Sequence, residues 1–199
     1  MIFARATNNE KKLKEIQRIL NALGHDAKTL KQLGVEVNPD ENGRTFADNA
    51  LIKAKAVADI TGMPAISDDS GLCVDYLGGA PGVHTARYAG ENATDDENID
   101  KLLSRLENVP DSDRGAAFVS SVCLYIPKKE DEDEYVICTG ECRGYIAHHR
   151  MGEGGFGYDP IFTVNGVSYA GMSREEKDRI SHRGSALRQL AEKIAQMKF

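Results

Sequence analysis

Ile2, Phe3, Ala4 and Ala6 form a short apolar run that predicts a buried strand over residues 1–6. Leu13, Ile16, Leu20 and Leu23 then recur at helical spacing and Gly24 follows, which predicts a helix over 9–23. Thr45 with Asp48 three residues later reads as a capping box that opens a second helix, ending at Thr61 before Gly62 and Pro64. Met63-Pro64-Ala65-Ile66 leads into a strand whose end carries Ser67-Asp68-Asp69-Ser70-Gly71. A second box, Thr94 with Glu97, opens a helix through Ile99, Leu102, Leu103 and Leu106. Residues 116–126 and 135–147 read as long strands, 160–164 and 167–169 as a hairpin across Asn165-Gly166, and 185–197 as a closing helix. Strands and helices intermix without repeats or linkers. The expected fold is therefore α/β, one domain over residues 1–199, with a mixed sheet because of the long 116–147 hairpin.

Composition narrows the function classes. A net charge of −6 argues against broad binding to nucleic acid, which needs many cations facing phosphates. No stretch is apolar for the length of a membrane span and the N-terminus reads as a strand, so a cytoplasmic protein is expected. Cys73, Cys123, Cys138 and Cys142 lie mostly in apolar runs and form no Cys-x-x-Cys pair, as expected for buried thiols in a reducing compartment. Cys138 and Cys142 with His148-His149 fit none of the usual zinc spacings. The charge run from Lys128 to Glu134 reads as a solvated hairpin tip.

Adjacent carboxylates at the end of a buried strand repel unless a cation or a shared proton is present. Asp68 and Asp69 therefore call for positive charge. The first turn, Thr7-Asn8-Asn9-Glu10-Lys11-Lys12, stands between a strand and a helix N-terminus, where backbone N–H groups favour phosphate; the glycines of a Walker loop are missing, and taken alone these residues read first as a plain helix cap followed by two exposed lysines. Gly152-Glu153-Gly154-Gly155-Phe156-Gly157 fits a G-x-G-x-x-G pattern, but Tyr158-Asp159-Pro160-Ile161-Phe162 follows where a dinucleotide fingerprint requires a helix. The loop suits close backbone approach with an aromatic face for a base, or else a tight turn packing Phe156 and Tyr158 into the core. Lys177, His182 and Arg183 gather ahead of the last helix, and Asp40-Glu41 forms an acidic turn. Acidic turn, acidic strand end and basic helix starts together suit a magnesium-bound polyphosphate.

Five blocks in order, Thr7-x-Asn9-x-x-Lys12, Thr45-Phe-Ala-Asp-Asn49-Ala50 with Lys53-Ala54, Ser67 to Leu72 continuing to Gly82 and Ala86-Arg87-Tyr88, Gly154 to Phe162, and Ile180 to Gly184, resemble the inosine/xanthosine triphosphate pyrophosphatase family. The resemblance spans the chain from first turn to last helix. It implies a long mixed sheet flanked by helices, with two lobes around a central cleft, and hydrolysis of ITP, dITP and XTP to monophosphate and pyrophosphate with Mg²⁺ in a homodimer. Such an enzyme would clear deaminated purines from the nucleotide pool. Carried over by motif, residues 7–12 (Thr7, Asn8, Asn9, Glu10, Lys11 and Lys12) would hold the triphosphate, Asp69 would bind metal and act as base, and Ser70 would touch substrate. Phe156, Gly157, Tyr158, Asp159, Lys177, His182 and Arg183 would hold base and sugar. The metal would take a further carboxylate from Glu41, with Asp40 as the alternative because the turn looks one residue long. Lys177 or Arg183 would satisfy the O6 acceptor of hypoxanthine or xanthine. A pyrimidine-directed Maf-like pyrophosphatase and a nucleotide-binding module without turnover are the alternatives; the intact carboxylates speak against the second.

Overall fold

The computed structural model describes residues 2–7, 9–22, 24–128 and 132–197. It divides into two compact units: residues 1–69, 120–140 and 182–199 form the first, and residues 70–119 and 141–181 the second.

The first unit opens with β1 (Ile2–Arg5), α1 (Glu10–Ala22), β2 (Asp26–Thr29) and the single turn α2 (Leu30–Leu33). Helix α3 (Phe46–Thr61) leads to β3 (Ala65–Val74), and α6 (His182–Gln196) closes the unit. With β4 (Gly115–Ile126) and β5 (Glu134–Ile146), the strand order is β2-β1-β3-β4-β5, and β1 runs parallel to both β2 and β3. A sheet covered on both faces needs apolar residues at consecutive positions, because successive side chains leave opposite faces. Phe3, Ile66, Val122 and Leu124 accordingly pack with Ile16 and Leu20 of α1 and Leu187, Leu190 and Ile194 of α6. Their neighbours Ala4, Ala65, Cys123 and Tyr125 pack on the other side with Ala50, Ala54, Val57 and Ala58 of α3.

The caps read from sequence are present: Thr45 and Asp48 close a capping box at α3, and Gly62 ends the helix at φ 64°. Two elements had no hydrophobic signal. Asp26-Ala27-Lys28-Thr29 is an edge strand with one buried apolar side chain, and α2 is a single turn beside it. A third expectation is corrected. Asp68 and Asp69 do not sit at a strand end, since β3 continues to Val74, and they point to opposite faces of it.

In the second unit the order runs β3-β4-β5-β6-β7, with β6 (Phe162–Val164) and β7 (Val167–Ser168) antiparallel across Asn165-Gly166. Both turn residues have positive φ, 51° and 80°, as the tight hairpin requires. Helix α4 (Asp95–Arg105), capped by Thr94 and Glu97, lays Ile99 and Leu102 against Leu72, Val74, Phe118, Phe162 and Tyr169. Phe118 stacks on Tyr169, and Phe162 stands edge-on to both. Strand β6 starts at Phe162 rather than Pro160, because residues 158–161 turn, with the Ile161 N–H on the Tyr158 carbonyl at 3.0 Å. Residues 174–180, expected as a basic run ahead of the last helix, form α5 (Arg174–Ile180) under a Ser173–Glu176 capping box. The final helix starts at His182, three residues before the expected Ser185.

All four cysteines are free thiols, and Cys123, Cys138 and Cys142 are buried in the cores. The hairpin tip lies partly outside the described residues; at its edge Asp133 accepts from the Tyr125 hydroxyl and the Lys128 N–H, and Lys128 pairs with Glu134.

Candidate active site

Helix α3 and strand β3 build one face of the first unit's polar site. Asn49 and Lys53 are one helical turn apart and both buried, on a stripe otherwise made of Ala50, Ala54, Val57 and Ala58. A buried lysine needs partners. Lys53 Nζ lies 2.9 Å from Asp69 Oδ1 and 2.9 Å from Glu41 Oε2, so a carboxylate from the strand and another from the acidic turn meet at one ammonium. Asn49 Nδ2 donates to Asp69 Oδ2 at 3.2 Å, and its Oδ1 accepts the Gly43 N–H at 2.8 Å. One amide thus ties the acidic turn to the strand. Gly43 allows that approach, since a Cβ there would stand 2.6 Å from Asn49 Oδ1. Ser67, two residues before Asp69 on the same face, donates to the Ala50 carbonyl and fastens strand to helix. Burial pulls the Lys53 pKa down, but Asp69, Asp68 and Glu41 outweigh it and hold it above the usual lysine value.

On the opposite face Asp68 is wholly buried. Arg183 Nε, in the first turn of α6, donates to Asp68 Oδ2 at 3.0 Å, and Lys12 Nζ of α1 is 3.5 Å from the same oxygen. Burial alone would raise the Asp68 carboxyl; Lys12, Arg183 and Lys53 reverse that and hold it well below the usual carboxylate range. Asp68 Oδ1 is buried without a hydrogen bond. For Lys12 burial wins: with Asp68 pulling up and Arg183 and Lys53 pushing down, its pKa lies below the ordinary lysine value. Its charge is incompletely relieved, and an anion would relieve it. The turn ahead is a helix cap, with Asn9 Oδ1 on the Lys12 N–H at 3.2 Å and the Asn9 N–H on Thr7 Oγ1 at 3.3 Å. Asn8 and the side chains of Glu10 and Lys11 lie outside the described residues.

The second unit carries a separate group. Asp159 is buried, accepts the Phe156 N–H at 2.9 Å and pairs with Lys177 Nζ at 2.5 Å. The same ammonium stands 5.1 Å from the ring centres of Phe156 and Tyr169. Gly155, at φ 76°, lets the loop curl onto Asp159, for a Cβ there would fall 2.1 Å from Asp159 Oδ2. Gly157 donates its N–H to Asp95 at 2.8 Å. Tyr158 belongs to the core, 3 % exposed with its hydroxyl on the Thr85 carbonyl, so the aromatic face expected of it falls to half-buried Phe156.

The structure thus gathers Lys12 and Arg183 with Asp68, and Glu41 with Asp69, within the first unit; His182 is buried next to Arg183 at the start of α6, Asp40 is exposed, and Ser70 is buried, next along β3. Arg183, expected on base and sugar, donates its Nε–H to Asp68. The positive charge expected beside the two aspartates is present, with Lys53 on Asp69 at one face of β3 and Arg183 on Asp68 at the other. Lys53 and Asn49 were not among the expected site residues. Their signal is two polar residues at helical spacing inside an alanine-rich stripe. Among the described residues no three His, Cys, Asp or Glu side chains gather as a metal cage. Glu41 and Asp69, two hard carboxylates already converging on one cation, nonetheless fit Mg²⁺, which takes one or two protein carboxylates and completes its shell with phosphate and water.

The chain is similar to several known proteins along nearly its whole length. The Ham1 family model matches residues 3–193. The dITP/XTP pyrophosphatase of Salmonella paratyphi A is 48 % identical over 191 residues, 95 % of each chain, and that of Yersinia pestis 50 % identical over 185 residues, 92 % of each. The structure of a HAM1 protein from Coxiella burnetii superposes with a TM-score of 0.87 at 41 % identity, covering 99 % of this chain and all of that one. The Staphylococcus aureus Ham1 protein gives 0.86 at 37 % identity over the whole of both chains.

Proposed function

The chain belongs to the Ham1 family, and on that premise we propose that it hydrolyses dITP, ITP and XTP to the monophosphate and pyrophosphate. The observation that carries the reading is the meeting of Glu41 and Asp69 at Lys53, on a unit that also holds a desolvated Lys12 beside a helix start. Carboxylates brought together by a turn and a strand suit a divalent ion, and a lysine with unrelieved charge suits a phosphate chain.

In this reading Glu41 and Asp69 hold Mg²⁺, which when bound polarises the phosphoanhydride and offsets its charge. Lys12 grips the triphosphate. Asp69, its two oxygens fixed by Lys53 and Asn49, accepts the proton of the attacking water. Asp68 and Arg183 anchor Lys12 and the start of α6. In the second unit Lys177 donates to O6 of hypoxanthine or xanthine while the Phe156 ring faces the base. Adenine would set an amino donor against that ammonium, and an unmet donor costs about 1–3 kcal/mol. Two chains form a homodimer, and the four free thiols suit a reducing cytoplasm. Among the described residues no helix is long and apolar enough to cross a membrane.

Pyrophosphate release, measured with Mg²⁺ across dITP, ITP, XTP, ATP, GTP, dTTP and UTP, tests the proposal. Preference for the first three, with one pyrophosphate per monophosphate, is expected. Preference for dTTP or UTP, or orthophosphate as the product, would overturn it.

A further inference from the structure

The glycine-rich loop of the second unit is held in two different ways. Its first half rests on backbone: the Gly154 N–H donates to the Ala170 carbonyl at 3.1 Å, and a Cβ at Gly152 would stand 2.8 Å from the Gly171 nitrogen. Its second half is not packed in that way. Gly157 turns at φ 56°, and among the described residues nothing beyond its chain neighbours stands within 4 Å of where its Cβ would be, so hydrogen bonds rather than contact fix this point of the chain. Three consecutive residues each have one. The Phe156 N–H donates to Asp159 Oδ2 at 2.9 Å, the Gly157 N–H to Asp95 Oδ2 at 2.8 Å, and the Tyr158 hydroxyl to the Thr85 carbonyl at 3.0 Å.

Asp159 belongs to the site already described, whereas Asp95 and Thr85 have no role there. Asp95 stands in the first turn of α4, where the helix dipole favours an acidic residue whatever else it does. The cap itself is made without it, by Thr94 and Glu97. Its carboxylate instead leaves the helix for an N–H 62 residues further along the chain, a charge-assisted bond. Arg150, at the start of the loop, also reaches α4, donating to Asp100 at 2.8 Å and Asp96 at 3.3 Å, but these are exposed ion pairs, which contribute little. Thr85 is engaged at both ends: its carbonyl takes the buried Tyr158 hydroxyl, and its Oγ1 accepts the Leu72 N–H at 3.1 Å, which fixes it to β3.

We propose that Asp95 and Thr85 are positioning residues for base recognition, pinning Gly157 and Tyr158 so that the Phe156 ring keeps its place beside the Lys177 ammonium. This rests on the reading of Phe156 and Lys177 as the pair that faces the base. Phe156 is one residue from the Asp95 bond, and its ring centre lies 5.1 Å from Lys177 Nζ. Without that bond the backbone at Gly157 can turn and carry the ring out of register with the ammonium. The base is then held less tightly, and its edge is set less strictly against Lys177. The residues assigned to the phosphates and to the attacking water belong to the first unit and make no bond to Asp95 or Thr85 among those described. KM should therefore move and kcat should not.

Steady-state pyrophosphate release from dITP and dATP with Mg²⁺, by the full chain and by Asp95→Ala, Asp95→Asn and Tyr158→Phe, tests the proposal. Asp95→Ala should raise KM for dITP about 5- to 20-fold with kcat within about twofold of wild type, and should narrow the dITP-over-dATP ratio of kcat/KM by about threefold or more. Asp95→Asn keeps an oxygen for the Gly157 N–H and should recover most of that loss. Tyr158→Phe removes only the hydroxyl that reaches Thr85; it should shift KM in the same direction, and it serves if Asp95→Ala does not fold. Unchanged KM and selectivity in folded Asp95→Ala, a fall in kcat alone, or Asp95→Asn no better than Asp95→Ala overturns the inference. A wild type that does not prefer dITP to dATP would overturn the proposed function itself; a wild type with that preference and an Asp95→Ala protein with unchanged KM overturns this inference alone.

Discussion

Asp68 and Arg183 have no exposed side-chain surface to speak of, 0 % and 1 %, so their pair is a folding interaction before it is anything else. Removing one member of such a pair leaves the other charge buried and unmatched. Asp68→Asn should therefore cost about 3–5 kcal/mol in urea denaturation. Its pH dependence follows from the lowered carboxyl. A folded-state pKa below the unfolded one gives stability that is complete above the ordinary carboxylate pKa and lost as pH falls through the folded value. The advantage of wild type over Asp68→Asn should be flat above about pH 5 and shrink below about pH 4. A constant advantage down to the acid limit would remove the charge-based account. Asn49 acts differently, through Asp69. Asn49→Leu releases both the Asp69 carboxylate and the Gly43 N–H, and should lower kcat by about 10- to 100-fold with KM little changed. A change confined to KM would assign Asn49 to substrate binding instead.

At the scale of elements, α6 reaches β5 through one glycine. A Cβ at Gly140 would stand 2.2 Å from the His182 carbonyl oxygen and 2.6 Å from the Ala186 nitrogen, both backbone atoms that cannot swing aside. Gly140→Ala must push the first turn of α6 off the strand, and with it Arg183 from Asp68. A loss of about 1–3 kcal/mol or more is expected, and a stability equal to wild type would show that the helix sits farther out. The same elements show what the sequence makes legible. Helices α3 and α4 were readable to within a residue because capping boxes and glycine stops are local chemistry. Strand β2 was not, because an edge strand with one buried residue carries no apolar pattern, and α5 was missed because its single apolar residue hid a good capping box. Both aspartates were visible as a site, but their opposite directions follow from β3 continuing past Gly71, which only the pairing of strands decides. Lys53 and Asn49 needed the three-dimensional meeting of α3 with Glu41 and Asp69 to acquire a role.

Across the whole molecule, a net charge of −6 coexists with cations concentrated on α1, α3 and α6 around three carboxylates. An acidic protein that disfavours nucleic acid can in this way still attract a free triphosphate. If two chains pair as proposed, light scattering should give twice the chain mass at micromolar concentration; a single-chain mass would remove the dimer and leave the site intact. The account turns on a division of labour across one strand, Asp69 for the reaction and Asp68 for the fold. Single-turnover hydrolysis of dITP by Asp69→Asn measures this most directly. The account predicts a protein that folds, less stable than wild type because Lys53 loses one of its two carboxylates, that still binds the nucleotide and whose chemical step is slower by about 10² to 10⁴; a folded Asp69→Asn protein that turns over at close to the wild-type rate would contradict it.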